Sequence, residues 1–229
     1  MAYTLITANR NYSSWSLRPW LLMRGLNIAF ADRLVAFAGP DNSAEFRRFA
    51  PNGKVPCLHD GETVVWDSLA IIEYLAERHA GVWPSDPLAR AWARCAAAEM
   101  HSGFGPLRNI CPMSVGVRAE LIAVPPALQA DIDRIAALFA EGLSRFGGPW
   151  LAGDTFSAVD AFFAPVAFRV RSFGLAIGDP GLRWVDTILN HPAMRDWEAA
   201  ALAETWRDES HEDEIASVAR VLVDYRQTG

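Results

Sequence analysis

Residues 81–87, Gly-Val-Trp-Pro-Ser-Asp-Pro, constrain the fold of this chain more than any other stretch. Each proline lacks a backbone N–H and clashes with a preceding helical turn, and Gly81 is a poor helix former. No regular element runs through the segment. Composition also changes across it. Upstream, short β-like runs of branched and aromatic residues alternate with helical patterns; downstream, strand signals almost vanish and Ala, Leu, Arg and Glu take over. The 229 residues therefore divide into a unit over 1–80, a linker over 81–87 and a unit over 88–229.

In the first unit, residues 3–8 suit a buried strand, and polar residues 9–12 suit a loop. Residues 14–24 form a helical pattern, with Ser13, Ser14 and Ser16 available to cap it, Pro19 in its first turn and Gly25 ending it. A second strand is expected within 28–37, then a turn at 39–43 and a short helix over 44–49. Two strands, 55–59 and 63–66, are joined through Asp60-Gly61, a hairpin signal. Asp67-Ser68 then caps a helix over 69–79, with Leu69, Ile72, Leu75 and Ala76 apolar. The order βαβαββα predicts a small mixed sheet with helices packed on it, a thioredoxin-like α/β outline. The second unit supplies helical patterns near 88–111, 125–146, 157–173, 181–190 and 192–205, an all-α helical bundle. Its best start signal is Ser157 followed by Asp160, an Asp variant of the capping box. The acidic tail from Ser210 is expected to pack only in part.

Composition narrows the class. With 51% hydrophobic residues the chain is globular rather than disordered, and its apolar runs, broken by Pro165, fall short of the ~20 residues a membrane helix needs. A net charge of −6 argues against a nucleic-acid surface. Arg10 is the one basic residue among the first 17 and no apolar h-region follows it, so no signal peptide is expected. Cys57, Cys95 and Cys111 build neither a zinc pattern nor a C-x-x-C pair. No metal and a reducing cytoplasm are expected.

Three segments can carry chemistry. Pro56 cannot donate to a sheet ladder, so it marks a strand start or edge. After the Asn52-Gly53-Lys54 turn, Val55 can offer its main chain to a peptide-like ligand as an added antiparallel strand; Pro56 can equally serve only to blunt that edge. Asp67-Ser68 begins a helix whose free N–H groups attract a carboxylate, with Ser68 donating to the anion and Asp67 accepting from an adjacent ammonium. The plainer role of the pair is a helix cap. In a thioredoxin-like fold, the loop Tyr12-Ser13-Ser14-Trp15-Ser16 lies beside the proline-led strand. A serine donating to a bound thiol there favours the thiolate over a thiol near its ordinary ~8.5. Capping is the alternative for these serines too.

Taken together, Y-S-S-W-S-L-R-P-W, N-G-K-V-P-C-L, D-S-L-A-I-I-E-Y-L-A-E and the 153–160 segment G-D-T-F-S-A-V-D resemble the cytosolic glutathione transferase family. The serine loop is most similar to the zeta, tau and phi branches, whose spacing to Arg18 implies Ser13 as the residue facing the thiol; the theta spacing implies Ser14. Trp15 stands where beta-class and some zeta enzymes carry cysteine, which implies no thiol–disulfide chemistry there. The resemblance implies glutathione as co-substrate. Val55 would pair with its cysteinyl backbone, and Pro56 would be cis. Lys54 would meet the glycyl carboxylate, Asp67 (for the usual Glu) the γ-glutamyl ammonium, and Ser68 the γ-glutamyl carboxylate. An electrophile pocket is expected beyond it, lined by Trp15, Met100, His101, Phe104 and Arg108, the last four on one helix face. His101 would act as an acid or base near ~6.5 or simply pack; Arg108 would attract an anionic substrate or form a structural ion pair.

The implied function is a detoxifying transferase that stabilises the glutathione thiolate and adds it to an electrophilic small molecule. Alternatives are a zeta-like glutathione-dependent cis–trans isomerase of the maleylacetoacetate type and a non-catalytic binding protein of the same fold. A glutathione-dependent reductase ranks third, since all three cysteines lie away from the serine loop. A homodimer is implied, with neither nucleic acid nor membrane as partner.

Overall fold

The computed structural model describes residues 3–39 and 41–227; Pro40, in the expected 39–43 turn, lies outside them. β1 (Tyr3–Thr7), α1 (Ser14–Gly25) and β2 (Phe30–Leu34) form a crossover unit whose strands run parallel, Tyr3 beside Phe30 and Thr7 beside Leu34. After the single-turn α2 (Ser43–Phe46), β3 (Cys57–Asp60) returns antiparallel to β1, placing Leu58 against Leu5. β4 (Thr63–Val65) folds back on β3 through Asp60-Gly61, giving the order β2-β1-β3-β4, and α3 (Ser68–Ala76) follows. This is the mixed sheet of a thioredoxin-like unit. β3 starts at Cys57 rather than 55, because Pro56 has no N–H to donate to the ladder.

The helical half is α4 (Pro87–Ser102), α5 (Gly105–Ile110), α6 (Pro126–Phe146), α7 (Ala158–Phe173), α8 (Gly178–Leu189), α9 (Pro192–Ala203) and α10 (Glu209–Val218). The single helix expected over 88–111 is two. Gly103 is extended and Phe104 left-handed (φ 59°), and a Cβ on Gly103 would stand 2.9 Å from the Glu99 carbonyl. The expectation that strands vanish here is also corrected. β5 (Val117–Leu121) pairs antiparallel with β6 (Ala219–Asp224), and residues 209–224 of the tail form a helix and a strand that pack only in part, with Ile215 and Ala219 buried and most of the rest exposed. Val117 and Ala119 are buried while Arg118 and Glu120 are not, the alternation of a half-buried strand.

α7 is buried on nearly every side, as an all-round apolar helix must be, and its face meets α1, α4 and α8 in one continuous core. Asp160 anchors its start. Its fully buried carboxylate accepts hydrogen bonds from the N–H groups of Leu151 (2.9 Å) and Ser157 (3.1 Å) and from Trp184 Nε1 (2.9 Å). Burial nevertheless pushes this carboxyl up to about 6. Among the described residues no single helix is long and apolar enough to cross a membrane.

Candidate functional site

The loop before α1 is held by the far end of the chain. The Arg10 N–H donates to Glu204 Oε1 at 2.6 Å, the Asn11 amide to the Ala201 carbonyl at 2.6 Å, and Trp197 Nε1 to the Arg10 carbonyl at 2.9 Å. Tyr12 donates its hydroxyl to Glu212 on α10 at 2.5 Å. Buried polar groups need such partners, and the helical half supplies these while Thr7, Asp32 and the Phe37 N–H of the sheet unit supply others. The serines do not cap α1 with their side chains. Ser13 Oγ instead donates to Ser16 Oγ at 2.7 Å, and Ser16 Oγ accepts from the Ala8 N–H at 3.3 Å. The Ser14 hydroxyl has no side-chain partner among the described residues and borders open space.

That space is a cavity of about 430 Å³ between the sheet unit and the helices, and Ser13, Ser14, Trp15, Lys54, Val55 and Arg108 line it together. Gly53, at φ 65°, makes the turn that delivers Lys54 and Val55 to its wall. Val55 precedes the ladder, whose pairing with β1 runs from Cys57 to His59, and the Val55–Pro56 peptide is cis.

The remaining expected residues do not line the cavity. Pro56 is buried beside Val55. Asp67 is the N-cap of α3, accepting from the Leu69 N–H at 3.0 Å, and Ser68 is fully buried with its hydroxyl unpartnered. Met100 and Phe104 are core residues, and the break at Gly103 removes the shared helix face that would have aligned them with Arg108. His101 sits at the junction of the two halves, with Nε2 3.3 Å from Asp67 Oδ2 and its ring edge-on to Trp15. Burial lowers its pKa against the opposing pull of Asp67. Arg108 has no ion pair among the described residues; it donates to the carbonyls of Gly103 and Met100.

Two groups on the wall escape sequence reasoning. Arg169 of α7 is buried, donating from Nε to the Cys111 carbonyl at 2.7 Å. It was hidden in an apolar helical pattern. It lies within electrostatic reach of Arg18 and Arg108, whose guanidinium groups stand over the Trp15 ring. Burial pushes all three guanidinium groups down, Arg169 to about 10, and the charge of Arg108 adds to the effect on the other two. His211 of α10 stacks on Tyr12 at 4.8 Å, and its Nδ1 lies 2.6 Å from the buried Asp208 carboxylate. Its position depends on a tail whose packing has no local signal.

No cysteine lines the cavity. Burial raises Cys57 to about 11 and Cys111 to about 12, so both are thiols at neutral pH, and exposed Cys95 lies on α4. The described residues contain no cluster of three or more His, Cys, Asp or Glu placed to hold a metal.

Comparison with known proteins agrees with this geometry. The family model for the glutathione S-transferase N-terminal domain matches residues 12–78, and that for the C-terminal domain matches residues 118–200. The chain is 28% identical over 169 residues to a probable maleylacetoacetate isomerase of Caenorhabditis elegans, covering 72% of this chain and 78% of that protein. It is 29% identical over 179 residues to glutathione S-transferase GstB of Escherichia coli K12, covering 69% and 79%. The fold matches that of a glutathione transferase homologue from Burkholderia gl BGR1 with bound glutathione, at a TM-score of 0.67 and 21% identity, over 88% of this chain and 98% of that one. With both halves matched in order and the serine loop and Val55 edge sharing one cavity, the chain belongs to the glutathione S-transferase family.

Proposed function

We propose that this protein binds glutathione through its 1–80 unit, holds the sulfur as a thiolate, and adds it to an electrophilic small molecule lodged against the 88–229 unit. One observation carries the reading: the unpartnered Ser14 hydroxyl at the start of the twelve-residue α1 shares a cavity with Val55 and Lys54. A helix N-terminus and a hydroxyl donor both stabilise an anion there, which lowers the pKa of a thiol bound between them. Val55 pairs with the cysteinyl main chain, Lys54 faces the glycyl carboxylate, and Asp67 and Ser68 receive the γ-glutamyl end. The Ser68 hydroxyl is fully buried and off the cavity wall, so it meets that end only through a shift at the start of α3. Of the two serines we assign Ser14 as the donor, since its hydroxyl is unpartnered whereas that of Ser13 shares a hydrogen bond with Ser16.

Hydrogen bonds to a charged group contribute about 1.5–3 kcal/mol, so Ser14→Ala should leave bound glutathione about ten- to hundred-fold less ionised at a given pH. Ultraviolet absorbance of the thiolate reads this directly, alongside turnover. Unchanged ionisation and turnover in the Ser13→Ala/Ser14→Ala double variant would overturn the mechanism; a larger effect of Ser13→Ala alone would reverse the serines' roles.

Similarity to a probable maleylacetoacetate isomerase favours a second reading, in which glutathione adds reversibly to a conjugated double bond and is released. An isomerase consumes no net glutathione, and that assay separates the two. Retention on immobilised glutathione without turnover of any electrophile would instead mark a binding protein. We place the protein in the cytoplasm, where its three free thiols stay reduced, and expect a homodimer, which sedimentation tests.

A further inference from the structure

We propose that Arg108 and Arg169, backed by Arg18, form an oxyanion subsite for a carboxylate on the second substrate, so that this protein selects anionic electrophiles. The inference rests on the transferase reading and names the substrate class of the same cavity.

Two guanidinium groups, from α1 and α5, stand over one indole, and a third, Arg169 of α7, lies within electrostatic reach of both and lines the same cavity as Arg108. The Arg18 guanidinium carbon lies 4.2 Å from the Trp15 ring centroid and that of Arg108 lies 4.6 Å from it, while Arg18 is also 5.0 Å from Phe162. Arg18 is fully buried, and its Nε, Nη1 and Nη2 have no hydrogen-bond partner among the described residues. Arg169 spends Nε on the Cys111 carbonyl and Nη1 on the Pro165 carbonyl at 3.3 Å, leaving Nη2 free of protein partners. Arg108 spends Nε on Gly103 and Nη2 on Met100, leaving Nη1 free. Carbonyl oxygens orient these groups without neutralising them.

The charges remain uncompensated. Among the described residues no carboxylate lies within ion-pair distance of any of the three. Asp67, the acid acting on Arg18, is held by the Leu69 N–H and His101; Asp131, the acid acting on Arg108, accepts from the Leu107 N–H at 2.9 Å. Asp41 and Glu214 border the cavity as well, but neither pairs with Arg108 or Arg169. Clustered buried cations are costly until an anion joins them. Arg108 and Arg169 both reach the cavity wall, and the planar forks of arginine match a carboxylate better than an ammonium would. Trp15, Pro112 and Met113 flank them with apolar surface for the carbon body of such a molecule. The same cations could receive a carboxylate of glutathione itself, and the test separates the two sources.

The test compares 4-chloro-3-nitrobenzoate with its uncharged amide, 4-chloro-3-nitrobenzamide. In each, the thiolate forms the C–S bond, chloride leaves with the electron pair, and the thiol proton goes to solvent. Arg108→Gln should cost about 10- to 100-fold more in kcat/KM on the benzoate than on the benzamide, without raising the KM for glutathione. Arg108→Lys should recover part of the difference. Arg169→Lys keeps the charge in the core but loses the fork, and should show a smaller preference for the benzoate than the wild type. Equal losses on both electrophiles overturn the proposal, and so does a raised KM for glutathione, which would assign the cluster to the tripeptide. Calorimetry with unreactive 4-nitrobenzoate, and separately with glutathione, distinguishes failure of the subsite from failure of the transferase reading. Benzoate heat that Arg108→Gln abolishes, with no turnover of either electrophile, supports the subsite and sinks the transferase. Turnover without any preference for the carboxylate does the reverse, and absence of both benzoate heat and turnover sinks both.

Discussion

Removing the Asp160 carboxylate tests how α7, which carries Arg169 to the cavity wall, is fastened. Asp160→Ala leaves three buried donors, Leu151 N–H, Ser157 N–H and Trp184 Nε1, without their acceptor. At about 1–3 kcal/mol each, that loss is about 3–9 kcal/mol. Against it stands the relief of an unfavourably buried charge. Burial raises the carboxyl from 3.8 to about 6, equivalent to about 3 kcal/mol at neutral pH. The net expectation is a destabilisation of about 3 kcal/mol, a large share of a total stability of about 5–15 kcal/mol. The pH dependence sharpens it. Between the unfolded and folded values the native state binds more protons, so this group makes the wild type more stable as pH falls through about 6 toward 3.8. The alanine variant lacks that gain, and the gap between the two proteins should widen by about 2 kcal/mol between about pH 7 and pH 4, all other titrations cancelling. Asp160→Asn sheds the charge and keeps one oxygen for Leu151 and Trp184, so it should lie close to the wild type at neutral pH and fall behind on acidification. Urea denaturation at both pH values measures all three. A loss below about 1 kcal/mol in the alanine variant, or a gap that ignores pH, would refute the reasoning.

Gly142→Ala should destabilise by about 1–3 kcal/mol despite alanine's better helix propensity, because the new Cβ would stand 2.4 Å from both the Leu151 carbonyl and the Trp92 ring; an unchanged melting temperature would contradict this. The tail should release in acid. Glu212 is disfavoured by burial, yet the hydrogen bonds from Arg226 and Tyr12 hold it below its usual range, and Arg226 likewise lowers Asp224. Their contribution is therefore present above about pH 4.5 and lost as pH falls through the depressed values. Hydrogen exchange over 209–227 should rise on acidification before that of α7, and Arg226→Ala should already show fast exchange at neutral pH.

Much of this protein was legible along the chain because the signals are local. Gly81, Pro84 and Pro87 together stop a helix between the halves, Pro87 opening α4, and the Asp60-Gly61 turn brings β3 and β4 together within a few residues. The serine loop, the Val55-Pro56 step and the Asp67 cap likewise carry their own chemistry in adjacent residues. The misses share another property. Five residues at Val117–Leu121 cannot announce a partner about a hundred positions away at Ala219–Asp224. The stop at Gly103-Phe104 breaks the single helix face that would have carried Met100, Phe104 and Arg108 together. The 2.7 Å contact between the Ser13 and Ser16 hydroxyls, one helical turn apart, likewise has no mark in the residue types alone. The convergence of Arg18, Arg108 and Arg169 is the clearest case. A charge in a sequence has a sign but no neighbours; only the folded arrangement of α1, α5 and α7 decides that three of them share one buried place without a carboxylate between them.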